Sequence, residues 1–350
     1  MINKREVFHS HFPDARYFDE DNLKDLPGFL VEKGWIAHDE KVISTEKPGE
    51  GNMNFVRRVI TGKRSFIVKQ CRPWVEKYPD IEAPVERLEV EAKYYQTIAS
   101  DQLFSTFSPE LLTYDPDNLI IVIEDLGEGS DFTFIYKKSQ KIHGNHLASL
   151  LKYISHLHNF NWGDRIINFP SNQALKQLNH EHIFNYPYML ENGFDLNSVQ
   201  RGLQELSLTI KQDESLKEII KVLGQEYLAT GSVLIHGDYY PGSWLKVDNE
   251  VKVIDPEFAY FGHAEFDVAV MTAHFFMSGM ELIEVKNAMN TYIKRPDFNS
   301  ELFCGFCGTE ILRRIIGLAQ LPFDLTLEEK SDLINLAVEL IKSPKTHKLL

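Results

Sequence analysis

Asp238, Asp255 and Glu257 fall within twenty residues of one another, each just beyond a short apolar run. Between them, residues 244–247 and 251–254 are β-prone and are joined by Asp248-Asn249-Glu250, the signature of a tight hairpin. Such a hairpin folds back, so Asp238 can face Asp255 and Glu257. Converging carboxylates repel one another and stay ionised only with a cation or a proton among them. Their hard oxygens suit magnesium. The competing reading is that all three are turn residues capping strand ends.

Two further pieces lie in the first third of the chain. Gly49-Glu50-Gly51-Asn52-Met53-Asn54 directly precedes a β-prone run. Glycines there let a backbone approach phosphate oxygens closely, although a plain surface turn would look the same. No Gly-Lys-Ser/Thr follows, so this is not a Walker loop. Lys69 ends the apolar run Phe66-Ile67-Val68, which keeps its charge near a wall. Glu91 sits on the apolar stripe of a helix read over residues 85–99, three after Leu88 and four before Tyr95. A carboxylate in that place needs a partner, and Lys69 is the economical one. The order of glycine loop, strand lysine, helix glutamate and late carboxylates is a parts list for phosphoryl transfer from Mg-ATP. Gly49, Gly51, Asn52 and Lys69 would hold the phosphates, Glu91 the lysine and Asp255 the metal. Asp238 would accept a hydrogen bond from the attacking hydroxyl.

These residues need a scaffold of two kinds. Residues 40–125 are strand-rich, with a hairpin of 55–60 and 65–70 and a buried strand at 119–123, preceded by a short helix around 22–33. Beyond 130 the apolar spacing becomes helical over 146–160, 196–209, 215–229, 265–277, 281–292, 309–320 and 327–341. Thr326 and Glu329 open the last as a capping box. One insert of strands, at 233–235, 244–247 and 251–254, interrupts the helices and carries the carboxylates. The expected class is α+β, with a boundary near 125–130 that divides residues 1–126 from 127–350.

The motifs resemble the superfamily of aminoglycoside phosphotransferases and choline kinases, relatives of protein kinases. His236-Gly237-Asp238 matches its His-Gly-Asp pattern. The likeness sharpens to the methylthioribose kinases through Gly-x-Gly-Asn-x-Asn, Ile-Val-Lys-Gln, Glu-Asp-Leu, His-Gly-Asp-x-x-x-Gly-Ser, Val-Ile-Asp-Pro-Glu-Phe-Ala and Arg313-Arg314 followed by Gly-Leu-Ala. It runs from about residue 49 to 320. The resemblance implies a two-lobed protein-kinase-like fold, with a small antiparallel-β N-terminal lobe, a larger helical C-terminal lobe and ATP in the cleft. It implies Asp238 as catalytic base, Asp255 and Glu257 as metal ligands, and the backbone of Glu124 to Leu126 as the adenine hinge. Arg313 and Arg314 would line the sugar side, and Asp267 would brace the catalytic loop. Ser243 stands where most kinases have a metal-binding Asn, with Glu257 compensating, and Tyr239-Tyr240-Pro241 departs from the Leu-His-Thr usual in methylthioribose kinases.

Composition narrows the alternatives. The 37 basic and 51 acidic residues give a net charge of −14, a field that repels nucleic acid and anionic membranes. Three cysteines, Cys71, Cys304 and Cys307, are too few for a disulfide framework. With no apolar leader in residues 1–12, the expectation is a cytoplasmic enzyme. Its partner would be a small sugar or alcohol, the favoured acceptor being the 1-hydroxyl of 5-methylthioribose, with a homodimer as the assembly considered. The rivals are phosphorylation of an aminoglycoside, choline or another alcohol, a metal-dependent hydrolase built on His236 and the carboxylates, and a pseudokinase that only binds nucleotide. Cys304 and Cys307 are expected to be packed thiols ahead of a helix, and His156 and His158 to cap a helix end.

Overall fold

Along residues 55–61 side chains alternate between buried and half-buried, as a strand with one face on a core requires. The chain is described here from a computed structural model covering residues 3–49, 53–346 and 349. It divides into two compact units, Met1–Glu128 and Gly129–Leu350.

The first unit runs through α1 (Lys4–His11), α2 (Leu26–Glu32), β1 (Val42–Glu46), β2 (Phe55–Thr61), β3 (Ser65–Gln70), β4 (Trp74–Val75), β5 (Tyr78–Glu82), α3 (Arg87–Ile98), α4 (Gln102–Phe107), β6 (Leu111–Asp115) and β7 (Ile120–Glu124). Five strands form an antiparallel sheet in the order β1-β2-β3-β7-β6. Phe55, Val59, Phe66, Val68 and Val122 pack with Phe29 and Leu30 of α2 in one core. Because side chains alternate, Lys69 leaves the sheet on the face opposite Phe66 and Val68. β3 lies between β2 and β7, with Lys69 across from Val56 and Ile121, which holds the lysine on a strand paired on both edges. The helix expected at 22–33 is a 3₁₀ turn leading into α2, and α1 precedes it.

The second unit contains β8 (Gly129–Asp131), α5 (Gly144–Asn159), α6 (Gln173–His180), α7 (Leu203–Lys211), α8 (Glu214–Leu228), β9 (Val233–Ile235), β10 (Trp244–Val247), β11 (Glu250–Val253), β12 (Tyr260–Gly262), α9 (Ala264–Met277), α10 (Leu282–Met289), α11 (Ser300–Ile316) and α12 (Leu327–Lys342). β10 pairs with β11 through the expected hairpin and, on its other edge, with β8, while β9 pairs with β12. Every residue of α9 is buried, so this helix is the axis of the unit. Among the described residues no helix is long and apolar enough to cross a membrane.

Two expected helices differ. The one read over 196–209 is a 3₁₀ turn at Leu196–Ser198 and only becomes α-helical at Leu203. The one read over 309–320 begins at Ser300, where the Asn299 side chain accepts from the Glu301 and Leu302 amides, and ends at Ile316. Gly305 and Gly308 disguise its first half, since glycine is a poor helix former. Cys304 and Cys307 therefore lie within a helix, both buried. Gly308 has a packing reason: a Cβ there would lie 2.6 Å from the Ala337 carbonyl of α12. Gly308→Ala should force the two helices apart and lower stability by about 1–3 kcal/mol in chemical denaturation. Stability equal to wild type would mean that α11 and α12 have slack.

Candidate active site

In the first unit the Lys69 Nζ lies 2.6 Å from the Glu91 Oε1, and both side chains are nearly inaccessible to solvent. A buried ammonium needs an anion beside it, and Glu91 supplies one and fixes where Lys69 points. One helical turn before Glu91, the Arg87 guanidinium donates to the carbonyls of Met53 and Arg72 and to the Asn54 Oδ1. It thereby ties the exit of the glycine-rich segment and the exit of β3 to the helix of Glu91. Gly49 is exposed at the entrance to that segment, whereas Gly51 and Asn52 lie outside the described residues. Beyond β7, the Arg58 Nε sits 3.0 Å from the Asp125 Oδ2, and its Nη2 donates to the Gly127 carbonyl. Glu124 donates its amide to the Glu110 carbonyl, and Leu126 is half-buried. The 124–127 backbone is thus clipped in place by side chains of the same unit.

In the second unit the chain leaves β9 as His236-Gly237-Asp238 and turns sharply. Gly237 has φ +80°, and a Cβ there would come within 2.2 Å of the Phe258 carbonyl, so only glycine fits. Asp267, fully buried in the first turn of α9, accepts from the amides of His236 at 2.7 Å and Gly237 at 2.8 Å. The His158 Nε2 meets the same carboxylate at 3.2 Å, and its Nδ1 lies 2.9 Å from the Tyr292 hydroxyl. His158 is therefore no helix cap; it is a buried brace for Asp267. The His236 Nε2 donates to the Ile254 carbonyl, which leaves its Nδ1 to accept from the Asp238 amide. The Ser243 Oγ donates to the Asp238 carbonyl at 2.8 Å, closing the loop on itself. Ser243 is buried, and that proton is spent on the backbone.

Asp255 has a left-handed backbone, φ +61°, and starts the short turn Pro256–Phe258 that carries the buried Glu257. The Asn172 Nδ2 donates to the Glu257 and Ala259 carbonyls and steadies this turn. The Glu257 charge is felt at Asp238. Among the described residues no three His, Cys, Asp or Glu side chains gather as a ready-made metal cage. Two acidic oxygen donors without nitrogen or sulfur suit magnesium, which is commonly held by one or two carboxylates together with substrate phosphates.

Arg313 and Arg314 are both buried in the last turns of α11. The Arg314 Nη2 is 3.6 Å from the Asp238 Oδ1, and its guanidinium lies over the Tyr240 ring at 4.9 Å. Both arginines bind Glu310: the Arg314 Nε reaches Oε1 at 2.6 Å and the Arg313 Nη1 reaches Oε2 at 3.0 Å. Glu310 was not among the residues read from sequence. Its spacing was the available signal, since residues three and four apart share a helix face. The His274 Nε2 also meets Glu310, at 3.2 Å, and its Nδ1 lies 2.6 Å from the Tyr136 hydroxyl. No local pattern marks Tyr136, and His274 is marked only by following the carboxylate segment closely in sequence.

Burial pushes the Asp238 carboxyl up to about 6, against the opposing pull of Arg314 and Arg313. Burial pushes His274 down to about 4, so its ring is neutral near pH 7. The two arginines hold Glu310 well below the usual carboxylate range despite its burial. Burial raises the thiols of Cys304, to about 11, and of Cys307, which leaves both protonated and inert.

The family model described as phosphotransferase enzyme family (APH) matches residues 44–294. A methylthioribose kinase from Bacillus cereus is 27% identical, with 90% of each chain covered. Another, from Citrobacter koseri, is 24% identical over 85% of this chain and 86% of its own. Among solved structures, a spectinomycin phosphotransferase in complex with ADP and spectinomycin aligns with a TM-score of 0.55 at 12% identity, covering 93% of this chain and 98% of that one. Choline kinase from Streptococcus pneumoniae aligns with a TM-score of 0.51 at 13% identity, covering 93% and 100%. These likenesses show the fold class expected from sequence, α+β and protein-kinase-like.

Two outcomes test the geometry. Lys69→Ala and Glu91→Ala should each weaken nucleotide use, and the double variant should fall short of their sum by about 0.5–3 kcal/mol. A fully additive double variant would separate the two residues. Because an ionised Asp238 is needed to accept a hydrogen bond, kcat/KM should fall as pH drops through about 6. Arg314→Met removes the strongest force lowering that value, so the acidic limb should move to higher pH. A limb that stays put would uncouple the two residues.

Proposed function

We propose, from the premise that the chain belongs to the phosphotransferase enzyme family, that it transfers the γ-phosphoryl group of ATP to the hydroxyl of an uncharged sugar. It is a small-molecule kinase with an alcohol acceptor. The acceptor we favour is the 1-hydroxyl of 5-methylthioribose; the relatives at 27% and 24% identity bear the name methylthioribose kinase.

In this reading Lys69, locked by Glu91, holds nucleotide phosphates, aided by the glycine-rich segment that Arg87 anchors at Met53 and Asn54. The backbone from Glu124 to Leu126 receives the adenine. Asp255 and Glu257 would hold magnesium, which neutralises charge on the phosphates when bound. Asp238 accepts the hydrogen bond of the attacking hydroxyl and orients its oxygen. That oxygen forms the new bond to phosphorus as the bond to the ADP oxygen breaks, and the hydroxyl proton passes towards Asp238. Most of the catalysis is positioning, which suits a carboxylate on a loop laced to Asp267 and Ser243.

The observation that carries the acceptor class is the arginine pair beside the base. Arg313 and Arg314 face Asp238 and Glu310, two positive charges against two negative. Guanidinium groups next to the base disfavour a cation such as choline or an aminoglycoside. They can instead donate to sugar oxygens. A metal-dependent hydrolase is disfavoured because both His236 ring nitrogens face backbone partners.

ADP release measured across 5-methylthioribose, plain pentoses, choline and an aminoglycoside tests this. Neutral sugars should exceed the cations in kcat/KM by about 100-fold, with 5-methylthioribose foremost. Asp238→Asn should lower kcat by about 10²–10⁴-fold while nucleotide affinity is retained. Preference for a cation would overturn the acceptor class, and ATP binding with no transfer to any acceptor would make this a pseudokinase.

A further inference from the structure

Glu310, His274 and Tyr136 are buried polar groups that the transfer scheme does not use. They form one directional chain. Burial raises the Tyr136 hydroxyl well above its ordinary value, so it is a donor near neutral pH. Its only acceptor on a neutral His274 is Nδ1, at 2.6 Å. The His274 proton then sits on Nε2 and points at the Glu310 Oε1, 3.2 Å away. The same oxygen takes the Arg314 Nε–H at 2.6 Å, and the Oε2 takes Arg313. Arg314 thus lies between two competing carboxylates. It is hydrogen-bonded to Glu310, yet its Nη2 stops 3.6 Å from Asp238, within ion-pair range and beyond a hydrogen bond. A free guanidinium beside a carboxylate closes into a short two-pronged pair. Here neither edge is free for that grip, because Nε is held by Glu310 and Nη1 faces the Ala319 carbonyl at 3.5 Å.

We propose that Glu310 is a positioning residue that holds Arg314 back from Asp238, leaving the Asp238 oxygens open to the acceptor hydroxyl, and that Tyr136 and His274 fix Glu310 in that orientation. This rests on Asp238 being the base. Glu310 does not reach Asp238 itself, and its effect on that carboxylate runs through Arg314.

The test compares variants of the full chain in steady-state transfer to the best neutral sugar, with thermal unfolding as a check on folding. Glu310→Gln should lower kcat about tenfold with the ATP KM nearly unchanged, and the same change in an Arg314→Met background should cost almost nothing more. Because Glu310→Gln leaves two buried arginines without their anion and could impair folding, His274 supplies a gentler arm. His274→Gln keeps an amide N–H near the place of Nε2 and should retain most of the kcat, while His274→Leu should lose it. Tyr136→Phe, which keeps the ring packed on Phe323, should give a smaller loss of about threefold. Equal loss from Glu310→Gln with and without Arg314, or His274→Gln as impaired as His274→Leu in folded protein, would overturn the proposal while the functional reading stands. Wild-type protein that transfers to no acceptor would overturn the functional reading and this assignment with it.

Discussion

A carboxylate buried at full depth has to be surrounded by donors, and Asp267 meets that demand with two backbone amides and one imidazole. Much of the second unit depends on this one group. It pins His236 and Gly237 against the first turn of α9, and Gly237 can take that path only because it has no Cβ. With those two residues fixed, Asp238 leaves the loop in one direction. The amide at the base of the turn, the His236 ring and the Ser243 hydroxyl then close the remaining backbone bonds. Loss of the Asp267 charge would leave orphaned amides in a dry interior, which costs more than the net value of any one bond they make.

Around that loop, opposite charges are paired with little exposure. Arg313, Arg314, Glu310 and Asp238 are drawn from one helix and one loop, and each arginine has an acid within ion-pair distance. Buried ion pairs contribute little net stability, because desolvation offsets attraction. What such an arrangement supplies is direction: a planar guanidinium held at its Nε edge cannot rotate freely. The first unit applies the same logic with a single pair, Lys69 on a strand paired along both edges and Glu91 on the helix α3.

Cysteine and histidine show how burial decides chemistry. Cys304 and Cys307 have the spacing of a redox or metal motif, yet a helix interior raises both thiols and removes their reactivity. His158 has the sequence position of a helix-end cap, and His274 lies on the interior helix α9. Both are fully buried links in hydrogen-bond chains, the first to Asp267 and the second to Glu310.

The local code of the chain determined the elements and several of their pairings. Alternation fixed the hairpin at 55–70, the capping box at Thr326 and Glu329 fixed the start of α12, and the place of Glu91 on an apolar stripe already required a cation. The segment of Gly305 and Gly308 misled, because low helix propensity was overridden by close packing of α11 on α8 at Gly305 and on α12 at Gly308. Gly129–Asp131 has no strand propensity and became β8 because β10 offered an open edge. Asp238, Asp255 and Glu257 could be singled out by type and spacing alone. That Arg314 stops short of Asp238, that Glu310 restrains it, and that Tyr136 lies against His274 were decided only by tertiary structure. Those partners are far apart in sequence, except for Glu310 and its arginines, and spacing carries no information on which buried donor meets which buried acceptor until packing has excluded water from both.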